Sequence, residues 1–216
     1  MISGSVILDI VLPVECGGCA VPGTQWCPAC QTAWDVKTDE PHLFNPRVDP
    51  GVPVFALGRY AGPRRQAVVA VKEHGRSDLV APLSRALALG LHRLAAWGVL
   101  AEPFGLVPAP TRRWAARRRG GDPVTRVAAA AARSHPGISV CPVLRTTGRA
   151  RDSVGLSVHV RQRNIEGRVR MTGPAPVGEV VVVDDIVTTG ATATEAVRVL
   201  TAAAANVVAV LSLAHA

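Results

Sequence analysis

Two groups of side chains have types and spacings suited to chemistry. The first lies in Val180–Thr192, VVVVDDIVTTGAT. Asp184 and Asp185 are adjacent, and Thr188, Thr189, Gly190, Ala191 and Thr192 follow after two apolar residues. Neighbouring carboxylates repel unless a cation or ligand hydroxyls compensate. The small, hydroxyl-rich stretch can bring backbone N–H and side-chain O–H groups to one phosphate. A helix beginning near Ala193 would add the positive end of its dipole. Carboxylates for sugar hydroxyls or Mg²⁺, set beside a phosphate cradle, are what a ribose 5-phosphate needs. The plain alternative is a buried strand, a polar turn and a helix that happen to include two acids.

The second group is Cys16-x-x-Cys19 and Cys27-x-x-Cys30. Two such knuckles in one short segment suit a tetrahedral Cys₄ zinc site. Four protein ligands leave no open position, so the metal would be structural. The segment is too short to bury a core of its own. Metal binding, on the order of 10–16 kcal/mol in zinc-finger peptides, would supply the missing free energy. A redox-active dithiol pair is the competing use of these thiols. Cys141 stands alone in an apolar context and is expected to be an inert buried residue.

A third, basic group follows a short apolar run in LVPAPTRRWAARRRGGDPV, with Arg112, Arg113, Arg117, Arg118 and Arg119. Arginines at a strand end could grip a pyrophosphate through bidentate contacts, or contact a nucleic-acid backbone. They could equally form a solvated helix face, with Trp114 as packing. Lys72 and His74 could reach a phosphate, or lie in a surface turn.

The elements that must position these groups alternate. Four β-branched residues in a row, Val180 to Val183, predict a strand buried on both faces, with the acids at its carboxyl end. Other strands are expected at Val54–Tyr60, Gly105–Pro108, Ser139–Leu144 and Val207–Leu213. Helices are expected at Pro63–Lys72, from Asp78 as cap to about Trp97, at Val124–Arg133 and from about Ala193. Residues 36–53, with Pro41, Pro46, Pro50 and Pro53, read as a linker, and residues 145–179 as a flap or hood. This alternation predicts a parallel α/β sheet flanked by helices. The chain divides into a cysteine module with linker at 1–50 and an α/β domain at 51–216.

The chain has 216 residues, 48% of them hydrophobic, as expected for a packed core. No apolar run reaches the roughly 18 residues of a membrane span. Ile2 to Val14 is apolar but carries Asp9 and lacks a basic start, so it reads as a short packing helix rather than a signal peptide. A cytoplasmic protein without membrane contact is expected. The formal net charge of +8 fits an anionic partner, either a polyphosphate or nucleic acid. Only 4% of residues are aromatic, which counts against a base-stacking platform.

The Asp-Asp loop resembles the loop that binds phosphoribosyl pyrophosphate (PRPP) in type I phosphoribosyltransferases. Taken with the cysteine pairs, the chain resembles the ComF family, which joins an N-terminal Cys₄ zinc module to such a domain. Tyr60, the Lys72-x-His74-Gly75 turn, the VPAP strand with its arginines, and Leu156, Arg161, Asn164 and Gly167 carry the rest of the likeness. It departs at Arg119-Gly120-Gly121-Asp122-Pro123, where many members have R-G-x-N-Q, and at Ser153, where they have glutamine. The resemblance implies transfer of a phosphoribosyl group to a nitrogen nucleophile with release of pyrophosphate. It gives Asp184 and Asp185 the ribose hydroxyls, directly or through Mg²⁺, and Thr188, Thr189, Gly190, Ala191 and Thr192 the 5-phosphate. Pro108, Ala109, Pro110, Thr111, Arg112 and Arg113 would hold the pyrophosphate, and residues 146–168 would close over the site. It also implies a second reading, a DNA-uptake protein binding single-stranded DNA or a competence helicase. A homodimer through a strand edge or helix face is a plausible assembly.

Overall fold

A computed structural model describes residues 14–110, 121–133, 135–147 and 167–216. The expectations for the apolar lead, for Thr111, Arg112, Arg113 and the rest of the arginine run, and for most of the flap fall outside the described residues. The strands are β1 (His42–Leu43), β2 (Val54–Ala56), β3 (Phe104–Pro108), β4 (Ile138–Val140), β5 (Leu144–Thr146), β6 (Val169–Met171), β7 (Glu179–Val187) and β8 (Asn206–His215). The helices are α1 (Pro28–Trp34), α2 (Gly62–Glu73), α3 (Val80–Ala96), α4 (Pro123–Ala132) and α5 (Ala191–Ala202).

Six strands form one sheet in the order β1-β2-β8-β7-β3-β4. Only β1 runs antiparallel to its neighbour; the other pairings are parallel. The protein is thus α/β with a mostly parallel sheet, as the alternation of elements predicts. The valine run explains why β7 is central. Val181 and Val183 face one core with Val68, Leu83 and Val127 of α2, α3 and α4. Val180 and Val182 face the other with Ala193, Val197 and Leu200 of α5. A strand covered on both faces cannot alternate apolar and polar residues. Among the described residues no helix is long and apolar enough to cross a membrane.

Three local expectations are corrected. The strand expected over Ser139–Leu144 is two strands: β4 ends at Val140, and β5 begins at Leu144 in a separate antiparallel pair with β6. Pro142 lies between them and has no N–H to continue a ladder. Asp78 does not cap α3. Its carboxylate takes Nε and Nη2 of Arg76 at 2.9 and 2.7 Å, and α3 enters from a short 3₁₀ turn with Leu79 at its N-cap. Cys141 is only partly buried, because β4 is a short edge strand.

Residues 36–53 are bound to the sheet rather than free of it. β1 pairs with β2, Phe44 N–H donates to Val54 O at 2.8 Å, and the Phe44 ring lies 4.6 Å from the His215 ring. The cysteine segment is docked in the same way. Trp34 is fully buried in the core cluster, with the Arg64 guanidinium 5.1 Å from its ring centre. Arg76 Nη1 and Nη2 donate to the carbonyls of Glu15 and Gln25 at 3.0 and 3.4 Å.

The α4 start depends on Asp122. Its Oδ2 accepts from Thr125 N–H at 3.1 Å, with Pro123 next in the chain. Such a cap satisfies an amide that no helical carbonyl can reach. Asp122→Ala is expected to cost about 1 kcal/mol, measured by urea denaturation, whereas Asp122→Asn should retain most of the stability.

Candidate functional site

The acidic pair sits near the carboxyl end of β7, where β3 and β8 flank it. The strand runs on to Val187, so the acids lie inside its last turn of pairing rather than beyond it. Asp185 is buried, and its Oδ2 meets Lys72 Nζ at 2.8 Å. Lys72 belongs to the last turn of α2. Asp184 is half-buried, and its Oδ1 accepts the Asp185 N–H at 2.8 Å. Burial, then the neighbouring Asp185 charge, push the Asp184 carboxyl well above the ordinary carboxylate range; Lys72 offsets this only in part. Burial draws the Lys72 ammonium down, but Asp185, Asp184 and Glu73 outweigh it and hold the group above its ordinary value. Lys72 therefore stands in the site. His74 is exposed at the end of α2.

Thr188 and Thr189 form the turn after β7, and Gly190 is the N-cap of α5 with φ of 88°. Glycine reaches that left-handed conformation without a Cβ clash. The helix begins at Ala191, two residues earlier than the sequence suggests. Its first-turn amides, those of Ala191, Thr192 and Ala193, lack helical carbonyl partners. Ala191 N–H reaches the Thr189 hydroxyl at 3.4 Å. Thr188 is exposed, while Gly190 and Ala191 are buried.

The former linker backs this turn. Val48 N–H donates to Thr189 O at 2.9 Å, and the Thr194 hydroxyl donates to Val48 O at 3.2 Å. A Cβ placed on Gly190 would come within 2.4 Å of Val48 O and 2.7 Å of Pro46 Cβ. Nothing in the linker's composition distinguishes these residues, so sequence reasoning missed them.

Pro108, Ala109 and Pro110 end β3 beside the acids. Pro108 is in register with Val183, and Ala109 N–H donates to Val183 O at 2.7 Å. The β5–β6 pair and its flanking residues reach the end of β3 and helix α5. Thr146 Oγ1 donates to Pro110 O at 3.4 Å, and Gly167 N–H donates to Glu195 Oε1 on α5 at 2.8 Å. Arg198 grips the same carboxylate through Nε and Nη2, each at 2.7 Å. The Arg198 hydrogen bond, despite burial, holds Glu195 below the usual glutamate range. Glu195 thus ties the start of the β6 segment to α5, a structural role that a lone glutamate in a helix does not announce in the sequence. The structure thus brings Asp184, Asp185, Thr188–Thr192 and Pro108–Pro110 to one end of the sheet.

The four cysteines form a second centre. Cys16, Cys19, Cys27 and Cys30 place their sulfurs within 4.8 Å of one another, with Cys19 and Cys27 3.6 Å apart. A tetrahedral ion with metal–sulfur bonds of about 2.3 Å needs sulfur–sulfur edges of roughly 3.8 Å. Backbone N–H groups of Cys27 and Cys30 point at Cys16 Sγ and Cys27 Sγ, each at 3.4 Å. Burial disfavours the Cys16 thiolate, but the Cys27, Gly18 and Cys19 amides outweigh it and bring the thiol down to about 6. Cys30 is pushed up by burial and by the neighbouring sulfurs. Four thiolates cannot gather here without a cation, and the cluster can hold a metal ion such as zinc. No protein-family model matches the chain, and no curated protein matches it.

Proposed function

We propose that the chain is a phosphoribosyltransferase-like protein of the ComF type, which binds PRPP with Mg²⁺ and transfers the phosphoribosyl group to a nitrogen nucleophile. The observation that supports this best is the convergence on one sheet end of an acidic pair, a glycine-capped helix start and the β3 terminus. The spacing follows the ligand: ribose hydroxyls at Asp184 and Asp185, the 5-phosphate at Thr188–Thr192, and pyrophosphate along Pro108–Pro110 toward Thr111, Arg112 and Arg113. Carboxylate oxygens are the hard donors that Mg²⁺ prefers, and the cation would neutralise charge on the leaving pyrophosphate. In the reaction the C1–oxygen bond to pyrophosphate breaks, its electron pair leaves with pyrophosphate, and a nitrogen lone pair bonds to C1. The chain's contribution is orientation and charge complementarity. No general base is assigned.

The Cys₄ cluster is read as a structural zinc site, since it offers four ligands and no open position. Its docking through Trp34 and Arg76 ties the module to the main core.

Turnover is tested by following pyrophosphate release from PRPP with a panel of nitrogen nucleophiles. Release that depends on one nucleophile supports the transferase; release without any added nucleophile would mean hydrolysis instead of transfer, and no release would restrict the protein to ligand binding. The second reading, binding of single-stranded DNA or a helicase-type partner, rests on the net charge of +8. It predicts binding that weakens steeply with salt, in proportion to the phosphates contacted. A PRPP site instead requires Mg²⁺ and the acidic pair.

A further inference from the structure

Lys72 enters the acidic site from an element that the Asp-Asp motif does not include. It comes from the last turn of α2, across the sheet face on which α2, α3 and α4 pack. Around it lie Val68, Val71, Leu83, Val124 and Leu213, an apolar crevice that closes on Asp185. The Lys72 Nζ to Asp185 Oδ2 distance of 2.8 Å is that of a charge-assisted hydrogen bond, and Asp185 is buried. Among the described residues, no ion pair of that kind is made by Asp184. Its Oδ1 takes a backbone amide, and it remains half-buried. The two acids are therefore not equivalent, although they are identical in sequence.

We propose that Lys72 is a positioning residue of this site: it occupies Asp185 as an internal counter-ion and leaves Asp184 as the carboxyl that meets a divalent cation or a ribose hydroxyl. The inference builds on the proposed phosphoribosyl site but concerns the division of labour within it. An ammonium already beside the pair lowers its attraction for a second cation. The site then takes up a divalent ion mainly with an anionic ligand, not alone. Among the described residues that line the crevice, Asp185 is the one acidic side chain, and the apolar lining keeps the ammonium on it.

The test uses the full-length, zinc-loaded protein with Mn²⁺ alone as probe, read by the loss of its free electron-spin signal. Lys72→Met retains the stem and removes the charge. It is expected to tighten Mn²⁺ binding by about tenfold or more, since a unit charge a few ångströms away acts strongly in a partly buried site. Lys72→Arg retains a cation and should stay near wild type. Adding Asp185→Asn to Lys72→Met should abolish the gain. Should Lys72→Met fail to fold, Lys72→Gln carries the same expectation. Unchanged or weakened Mn²⁺ binding in the neutral variants, or an arginine variant that behaves like methionine, would overturn the proposal. PRPP binding is measured separately on the same proteins. Its absence throughout would count against the phosphoribosyl reading, while the Mn²⁺ series would still decide the role of Lys72.

Discussion

Replacing Gly190 by alanine is expected to destabilise the protein by about 3–5 kcal/mol and to abolish the phosphate binding proposed for the turn. Two costs combine. A residue with a Cβ is strained at φ of 88°, by about 1–2 kcal/mol. The new methyl would also meet Val48 O at 2.4 Å and Pro46 Cβ at 2.7 Å, and one of those atoms belongs to the backbone. Relief would require moving Val48, which breaks its bonds to Thr189 and Thr194. Gly75→Ala is the matched control. Gly75 has φ of 67° with nothing near its absent Cβ, so it should show the strain alone. Urea denaturation of both variants measures the difference. Equal losses would mean that the linker does not press on the turn.

Removing the metal proposed for the Cys₄ cluster is the second large effect. Stripping the Cys₄ cluster with a strong chelator, or replacing Cys16 and Cys30 by serine, is expected to lower the melting temperature by about 10 °C or more. For a protein of this size each kcal/mol corresponds to roughly 2–4 °C. The loss should not stay within the module. Trp34 is in the main core cluster, and Leu79 lies so close to Gly17 that a Cβ there would meet its Cδ1 at 2.4 Å. Trp26 and Trp34, two of the four tryptophans, have ring centres 6.5 Å apart, so the fluorescence includes a signal from the module. A red shift that accompanies the fall in melting temperature, reversed by adding Zn²⁺, is the expected result. A chelator-treated protein with unchanged fluorescence and melting would show that the thiols need no metal.

The β7–α5 unit was legible because several local signals agree there. The valine run demands burial on both faces, and a glycine after two threonines marks the helix start. The cysteine knuckles were legible because their spacing is itself geometric. The rest depended on tertiary partners. Asp78 looks like a helix cap until Arg76 is placed beside it. Pro46 and Val48 look like linker residues until the sheet brings Gly190 against them. Lys72 falls in a stretch that reads equally as a surface turn, because the identity of its partner is 113 positions further along the chain. Sequence patterns encode which face is buried more directly than which charged group will be nearest.

Calorimetric titration of the zinc-loaded protein with PRPP and Mg²⁺ tests the central claim most directly, with the Asp184→Asn/Asp185→Asn double variant as control. The account predicts saturable, Mg²⁺-dependent binding to the wild type and none to the variant. A folded, metal-replete wild type that gives no binding would contradict it, and the acidic pair and phosphate turn would then be features of the scaffold.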